Sequence, residues 1–145
     1  MKRVNVYIIL FIFLMASACT SPPDEQQIRE NLDQIVLAVQ QRQPKKVVEH
    51  LHADFRAQER MGVEEIRRFM IAQFFRNQKI NILITGLRIR VEGNSAKVSF
   101  RAAITGGASW MPERLDYYQL HTSWVKQDGD WLMRDASWQP VLATA

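Results

Sequence analysis

Apolar residues recur at spacings of three and four in the first third of the chain, which predicts helices. Over residues 25–42 these positions form one stripe, as in a helix that buries a single face. Pro44 suits the first turn of a second, shorter helix, because that position needs no N–H donor. Val63 opens a third helix, which we expect to end near Asn77. The first stripe consists of Ile28, Leu32, Ile35, Val36 and Val39.

The helix ends carry their own signals. Asp24 and Gln27 stand three residues apart before the first stripe, which predicts a capping box with Asp24 at the N-cap. We expect residues 52–55 to end the second helix, with Asp54 capping the following turn. Residues 56–62 are polar and are expected to be irregular.

After Asn77 the apolar positions change from a helical to an alternating period. Residues 80–92, 96–105, 114–127 and 131–141 each predict a strand, so we expect four. Gly93-Asn94 predicts a turn within the first pair of strands, and Asp128-Gly129 predicts a hairpin turn in the last pair. Three helices followed by an antiparallel meander predict an α+β domain, with the helices packed on one face of the sheet.

The first nineteen residues form a separate unit. A basic start, an apolar run over residues 6–15 and small residues before Cys19 predict a secretory signal peptide. The apolar run is well short of the ~20 residues that span a bilayer. The cysteine after the small residues resembles the acylated cysteine of a bacterial lipoprotein. Ala16 and Ala18 also fit the ordinary signal-peptidase site, so lipidation and simple cleavage remain open alternatives.

Cys19 is the only cysteine of the chain, so an internal disulfide cannot form. Acylation gives this residue a purpose at this position, and we expect a lipid anchor at a bacterial membrane. Thr20 rather than aspartate follows it, which favours the outer membrane, with the protein facing the periplasm. The chain then divides into a signal peptide (1–18), a lipidated terminus with a short tether (19–23) and one domain (24–142).

Composition narrows the function classes. The formal charge of +4 falls to +2 when Lys2 and Arg3 leave with the signal peptide, and no run of basic residues exceeds two. We therefore expect no nucleic-acid partner. The chain has no Gly-rich phosphate loop and no nucleophile-elbow serine, so we expect no cofactor. We also expect no metal, because the spacing of the three histidines does not match a zinc site. These histidines are His50, His52 and His121.

The order of elements resembles the nuclear transport factor two-like superfamily, also called the cystatin-like cone. The resemblance rests on the first helix ending before Pro44, on residues 47–55 and 62–66, and on the turn and Gly-x-Trp pattern of residues 128–133. It implies a strongly bent, mainly antiparallel four-stranded sheet that wraps the first helix and leaves a pocket at its open end. The superfamily contains isomerases, dehydratases, epoxide hydrolases, transport adaptors and binding proteins, so the fold does not select a function.

Enzymes of this superfamily typically place an Asp or His general base in the pocket. Alternation puts Asp135 on the same strand face as Trp131 and Met133, where a carboxylate could act as the base. His121 and Tyr117 share a face of the neighbouring strand, so these two and Asp135 are the catalytic candidates. Two of them also have a structural interpretation: Asp135 paired to an arginine at the rim, and His121 exposed or hydrogen-bonded within its strand. Further candidates are Asp116 and the pair His52 and Asp54.

Aromatic residues cluster in the helix ends and the last two strands. Most are expected in the core, and some are expected to line a pocket for an apolar ligand. Trp110 lies on a loop, where we expect it to cover a pocket or meet a partner. The ligand-binding candidates are Phe55, Trp110, Tyr117, Trp124 and Asp135.

No catalytic arrangement outweighs its structural interpretation. We therefore expect a membrane-anchored periplasmic binding module, without enzymatic activity, for a protein partner or a small apolar ligand. Two alternatives stay open. One is a small hydrolase, isomerase or dehydratase with Asp135 or His121 as general base. The other is a structural protein of envelope assembly that forms a homodimer through the outer face of the sheet.

Overall fold

The computed structural model describes residues 23–107 and 114–141. Three predictions lie outside these residues: the signal peptide over residues 1–18, the lipidation of Cys19 and the loop position of Trp110. In the described part, no helix is both long and apolar enough to cross a membrane. The elements are α1 (Asp24–Gln40), α2 (Pro44–Val48), β1 (Leu51–Ala57), α3 (Val63–Arg76), β2 (Lys79–Glu92), β3 (Ser95–Gly107), β4 (Arg114–Gln127) and β5 (Asp130–Pro140).

The strands form one sheet in the order β1-β5-β4-β3-β2. Neighbouring strands are antiparallel except β1 and β5, which are parallel. The predicted α+β architecture, with helices packed on a mainly antiparallel sheet, is confirmed. The sheet has five strands where we expected four, because β1 was not predicted.

The residues expected to end the second helix form strand β1 instead. The backbone N–H of Met133 donates to the carbonyl of His50 at 2.9 Å, and Leu51 pairs with Met133. The partner strand thus lies about 80 residues further along the chain, and local sequence signals do not show it. Asp54 accordingly lies in β1 and not at a helix end.

The predicted capping box is also wrong. Pro23 occupies the N-cap of α1, and its carbonyl accepts the N–H of Gln27 at 3.1 Å. Asp24 lies in the first turn, and its Oδ1 accepts Lys126 Nζ at 2.7 Å and Trp131 Nε1 at 3.0 Å. These hydrogen bonds, that from Lys126 foremost, lower the pKa of the Asp24 carboxyl. Asp24 therefore ties the start of α1 to the β4–β5 hairpin.

The core lies between α1 and the inner face of the sheet. Ile28 and Leu32 from the predicted stripe pack against the fully buried Trp124 and Trp131. A smaller apolar cluster continues towards the end of α1, where that helix meets α2 and α3. It contains Ala38, Val47, Met70 and Phe74.

Bulges bend the sheet and change which residues face inwards. β5 carries one where Ser123 pairs with Asp135 but Trp124 pairs with Met133, which leaves Arg134 unpaired. Before this bulge Trp131 and Met133 are buried; after it Asp135 is exposed. The prediction that Asp135 shares the inner face with Trp131 and Met133 is therefore wrong, because one extra residue reverses the alternation.

The predicted hairpin turn at Asp128-Gly129 is confirmed. Both residues have positive φ, +52° and +86°, as the two-residue type I′ turn requires. β2 bends at a second bulge between Thr85 and Arg88, where Gly86 adopts a φ of +64°. Glycine reaches this left-handed conformation without steric cost.

Candidate functional site

An apolar cavity lies between the helices and the inner face of the sheet. Its volume is about 210 Å³, and every helix and strand contributes to its walls. The β-strand side is formed by residues such as Phe100 and Ala102 of β3, and α1 contributes Leu32. We call this space the inner cavity. Its other walls include Phe55, Ile66, Ile84, Met133 and Ala136.

A wider opening of about 390 Å³ adjoins the inner cavity, and we call it the mouth. The two spaces share wall residues from α1 and from four strands, so the mouth leads towards the inner cavity. The shared residues are Val39, Ile82, Ile104, Leu120 and Trp138.

Four polar side chains line the mouth. Asp116 and Tyr118 come from β4, and Gln73 and Asn77 come from α3 and its C-cap. An ionised carboxylate only accepts hydrogen bonds, whereas the tyrosine hydroxyl and the two amides both donate and accept. The mouth therefore combines apolar walls with polar groups that are able to orient a ligand.

The register of β4 explains why Asp116 and Tyr118 face inwards. β4 pairs with β3 without a shift, so Asp116, Tyr118 and Trp124 fall on one face. Trp124 is fully buried in the core, which fixes that face as the inner one. Asp116 was one of several candidates in the sequence, and its phase with Trp124 is the signal that singles it out.

Asn77 is positioned by α3 and by a glycine of β3. Its Nδ2 donates to the carbonyl of Gln73 at 2.9 Å. A Cβ built on Gly106 would lie 2.8 Å from Asn77 Oδ1, so the absence of a side chain at Gly106 lets the amide approach the strand. Sequence reasoning did not identify Gln73 or Asn77 as site residues, because their proximity to β4 depends on tertiary packing.

The three catalytic candidates lie on the outer face of the sheet, away from the inner cavity. Asp135 is exposed, and its Oδ2 accepts the hydroxyl of Ser123 at 2.6 Å. His121 is exposed opposite Ser137, and Tyr117 is half-exposed. The expected common face of Tyr117 and His121 is confirmed, but it is the outer one. The structure therefore does not bring these groups to the pocket.

The other candidates have different surroundings. Phe55 is buried and lines the inner cavity, whereas Trp124 is a core residue whose Nε1 donates to Thr122 Oγ1 at 2.9 Å. His52 Nδ1 accepts the backbone N–H of Asp54 at 3.1 Å, which is a local contact within β1. Among the residues that the structure describes, no three His, Cys, Asp or Glu side chains are grouped as a metal ion would require.

Solved structures share this fold at low sequence identity. A candidate scytalone dehydratase from Novosphingobium aromaticivorans has a TM-score of 0.74 and 13% identity, over 82% of this chain and 85% of that one. A candidate dehydratase of the NTF2-like family from Streptomyces avermitilis has a TM-score of 0.70 and 15% identity, over 83% and 97% of the two chains. A protein of unknown function with a cystatin-like fold from Nostoc punctiforme has a TM-score of 0.71 and 11% identity, over 87% and 97%.

At these identities the likeness shows the fold alone, and it confirms the cystatin-like cone. No curated protein matches the chain. The family model of the SnoaL-like domain matches residues 21–136, which is most of the sequence. The chain therefore belongs to the SnoaL-like domain family.

Proposed function

We propose that this protein binds a small apolar ligand in the inner cavity, with the polar end of the ligand at the mouth. The observation that carries the proposal is that the apolar inner cavity adjoins the four polar side chains of the mouth. Small-molecule sites combine apolar walls with a few polar groups in this way. A cavity of about 150 Å³ holds a benzene ring, so the inner cavity, at about 210 Å³, has room for a substituted ring.

The polar residues of the mouth favour one class of polar end. Asp116 in its ionised form accepts hydrogen bonds and repels anions, so a hydroxyl or amino group suits the site and a carboxylate does not. The ligand that fits best is therefore a ring or short hydrocarbon that carries a hydrogen-bond donor.

Three ring compounds test this proposal. We expect 4-ethylphenol to bind more tightly than ethylbenzene, and 4-ethylbenzoate to bind most weakly, as measured by ligand-observed NMR. Asp116→Asn should narrow the gap between the phenol and the benzoate, because the amide no longer repels an anion. The matched control is Asp33→Asn, which removes an exposed carboxylate from α1 and should leave the ranking unchanged. An unchanged ranking in Asp116→Asn would contradict the proposed orientation.

A second candidate function is elimination or isomerisation with Asp116 as the general base. It is favoured by the position of Asp116 and Tyr118 on one face of β4, both lining the mouth. The carboxylate would take a proton beside a carbonyl group, and the tyrosine hydroxyl would donate to the departing oxygen. Two of the similar solved structures are candidate dehydratases, which agrees with this chemistry only at the level of the fold.

A panel of β-hydroxy ketones tests the second candidate through the absorbance of the enone product. We expect turnover to fall at least a hundredfold in Asp116→Asn and to persist in Asp135→Asn, since general base catalysis contributes about 10²–10⁴-fold. Binding of 4-ethylphenol without turnover of any substrate in the panel would favour the binding function over catalysis.

We further propose that a lipid on Cys19 anchors the domain at the outer membrane, facing the periplasm. The support is the sequence pattern of a signal peptide that ends at a lone cysteine. Intact-mass measurement of the mature protein tests it. Acyl mass on an N-terminal Cys19, and release of Cys19→Ser from the membrane fraction, are the expected results. A mature Cys19 without acyl mass would contradict the anchor. A protein partner and a homodimer remain predictions.

A further inference from the structure

The outer face of the sheet carries a second concave surface, on the opposite side from the inner cavity. It is a groove of about 560 Å³ that crosses β2, β3, β4 and β5. Arg88 and Arg90 of β2 and Lys97 of β3 line one side, and hydroxyl groups and Asp135 line the rest. We call this surface the outer groove.

Three positively charged side chains lie close together on one side of the outer groove. Arg90 of β2 and Lys97 of β3 are directly paired in the strand register, and both are exposed on the same face. Like charges directly opposite each other on antiparallel strands are destabilising. Arg88 lies two residues from Arg90 on the same face, so it adds a third positive charge to the same area.

Glu92 lies two residues from Arg90 on the same face of β2 and lines an adjoining recess with Arg90 and Lys97, but no acid forms an ion pair with the three cations among the residues that the structure describes. The four ion pairs found there all lie elsewhere, and none includes Arg88, Arg90 or Lys97. Asp135 faces the groove from β5. Its backbone lies two strand spacings, roughly 9–10 Å, from the backbone of Lys97. Its carboxylate is hydrogen-bonded by Ser123.

We propose that the outer groove binds a phosphate-bearing ligand through Arg88, Arg90 and Lys97. Guanidinium groups bind phosphate oxygens in a bidentate manner, and three cations suit the two negative charges of a phosphate monoester. Ser99 and His121 are neighbours in the register beside Arg88 and supply further hydrogen-bonding groups. Asp135 repels an anion from the β5 side, which directs the phosphate towards β2 and β3.

Thermal unfolding of the full-length chain tests the proposal, with tripolyphosphate as the probe and sodium chloride at matched ionic strength as the reference. We expect tripolyphosphate to raise the unfolding midpoint, because a ligand that binds only the folded state stabilises it. Lys97→Gln should raise the midpoint in the absence of tripolyphosphate, since it removes the like-charge pair. The same variant should bind tripolyphosphate about tenfold more weakly or worse.

The matched control is Lys46→Gln, which removes an exposed lysine from α2. We expect this variant to keep the full response to tripolyphosphate. An equal loss of response in Lys46→Gln and Lys97→Gln would overturn the proposal, because the effect would then depend on net charge alone. A fall in the midpoint of Lys97→Gln without the anion would also overturn it.

A second arm distinguishes a soluble phosphate from a lipid headgroup. Its probe is dihexanoyl phosphatidylglycerol below its micelle concentration. Leu83 is an exposed apolar residue of β2 on the same outer face, beyond the bulge. A stronger response to the lipid that is lost in Leu83→Ser supports a headgroup site, and a response to tripolyphosphate alone supports a soluble ligand. A response to neither probe overturns the proposal.

Discussion

The inner cavity leads to a quantitative prediction for Ala102→Leu. Ala102 is 3% exposed on the inner face of β3 and lines the cavity of about 210 Å³. Leucine adds three carbon atoms, and burying them contributes about 0.8 kcal/mol each, or about 2.4 kcal/mol. Restriction of the leucine rotamers costs roughly 0.5–1 kcal/mol. Because the cavity has room for the added atoms, we expect the free energy of unfolding to rise by about 1–2 kcal/mol.

Ala96→Leu is the matched control. Ala96 is also 3% exposed, on the same face of the same strand, but it does not line the inner cavity. It pairs with Val91 on one side and with the fully buried Trp124 on the other. Extra carbon atoms in a well-packed site cost about 1–3 kcal/mol, so we expect this variant to be destabilised. The two substitutions should therefore have opposite signs.

Urea unfolding followed by tryptophan fluorescence measures both variants. Trp124 and Trp131 are buried, so their emission should change when the core opens. Ala102→Leu should also lose binding of 4-ethylphenol, since the leucine side chain occupies the inner cavity. If Ala102→Leu is destabilised as much as Ala96→Leu, the inner cavity is closely packed, and the proposed ligand has no space to occupy.

Two further substitutions probe the hydrogen bonds of Asp24 to the β4–β5 hairpin and the shape of the mouth. Asp24→Asn should lower stability at neutral pH, because the pKa of this carboxyl is lowered by Lys126 and Trp131. The stabilisation is present above the unfolded-state pKa and is lost as the pH falls through the lowered folded-state pKa. Urea unfolding of the variant and the wild type should therefore converge in acid, and a constant difference would refute the role of charge. Gly106→Ala should displace Asn77 Oδ1, which lies 2.8 Å from the new Cβ, and weaken 4-ethylphenol binding without a large loss of stability. Unchanged binding would show that Asn77 does not shape the mouth.

Local signals were sufficient to predict most of the elements. The apolar stripe of α1 and the Asp128-Gly129 turn depend on neighbouring residues, and both predictions hold. Strand β1 depends on hydrogen bonds to β5 near the other end of the chain, and its only local signal is a short polar–apolar alternation over residues 54–57. The missed strand is therefore a consequence of non-local pairing.

The strand register also explains why Asp116, and not Asp135, faces the inner side of the sheet. Alternation assigns a face only as far as the register runs unbroken, and β5 contains a bulge at Arg134 that no glycine or proline marks. Asp135 follows that bulge and so turns outwards, although Trp131 and Met133 precede it on the inner face. β4 pairs with β3 without a shift from Trp124 back to Asp116, so the buried tryptophan fixes the position of the acid eight residues away. Asp116 is consequently the carboxylate on which the tests of the inner cavity depend, and Asp135, on the outer face, is the control for turnover.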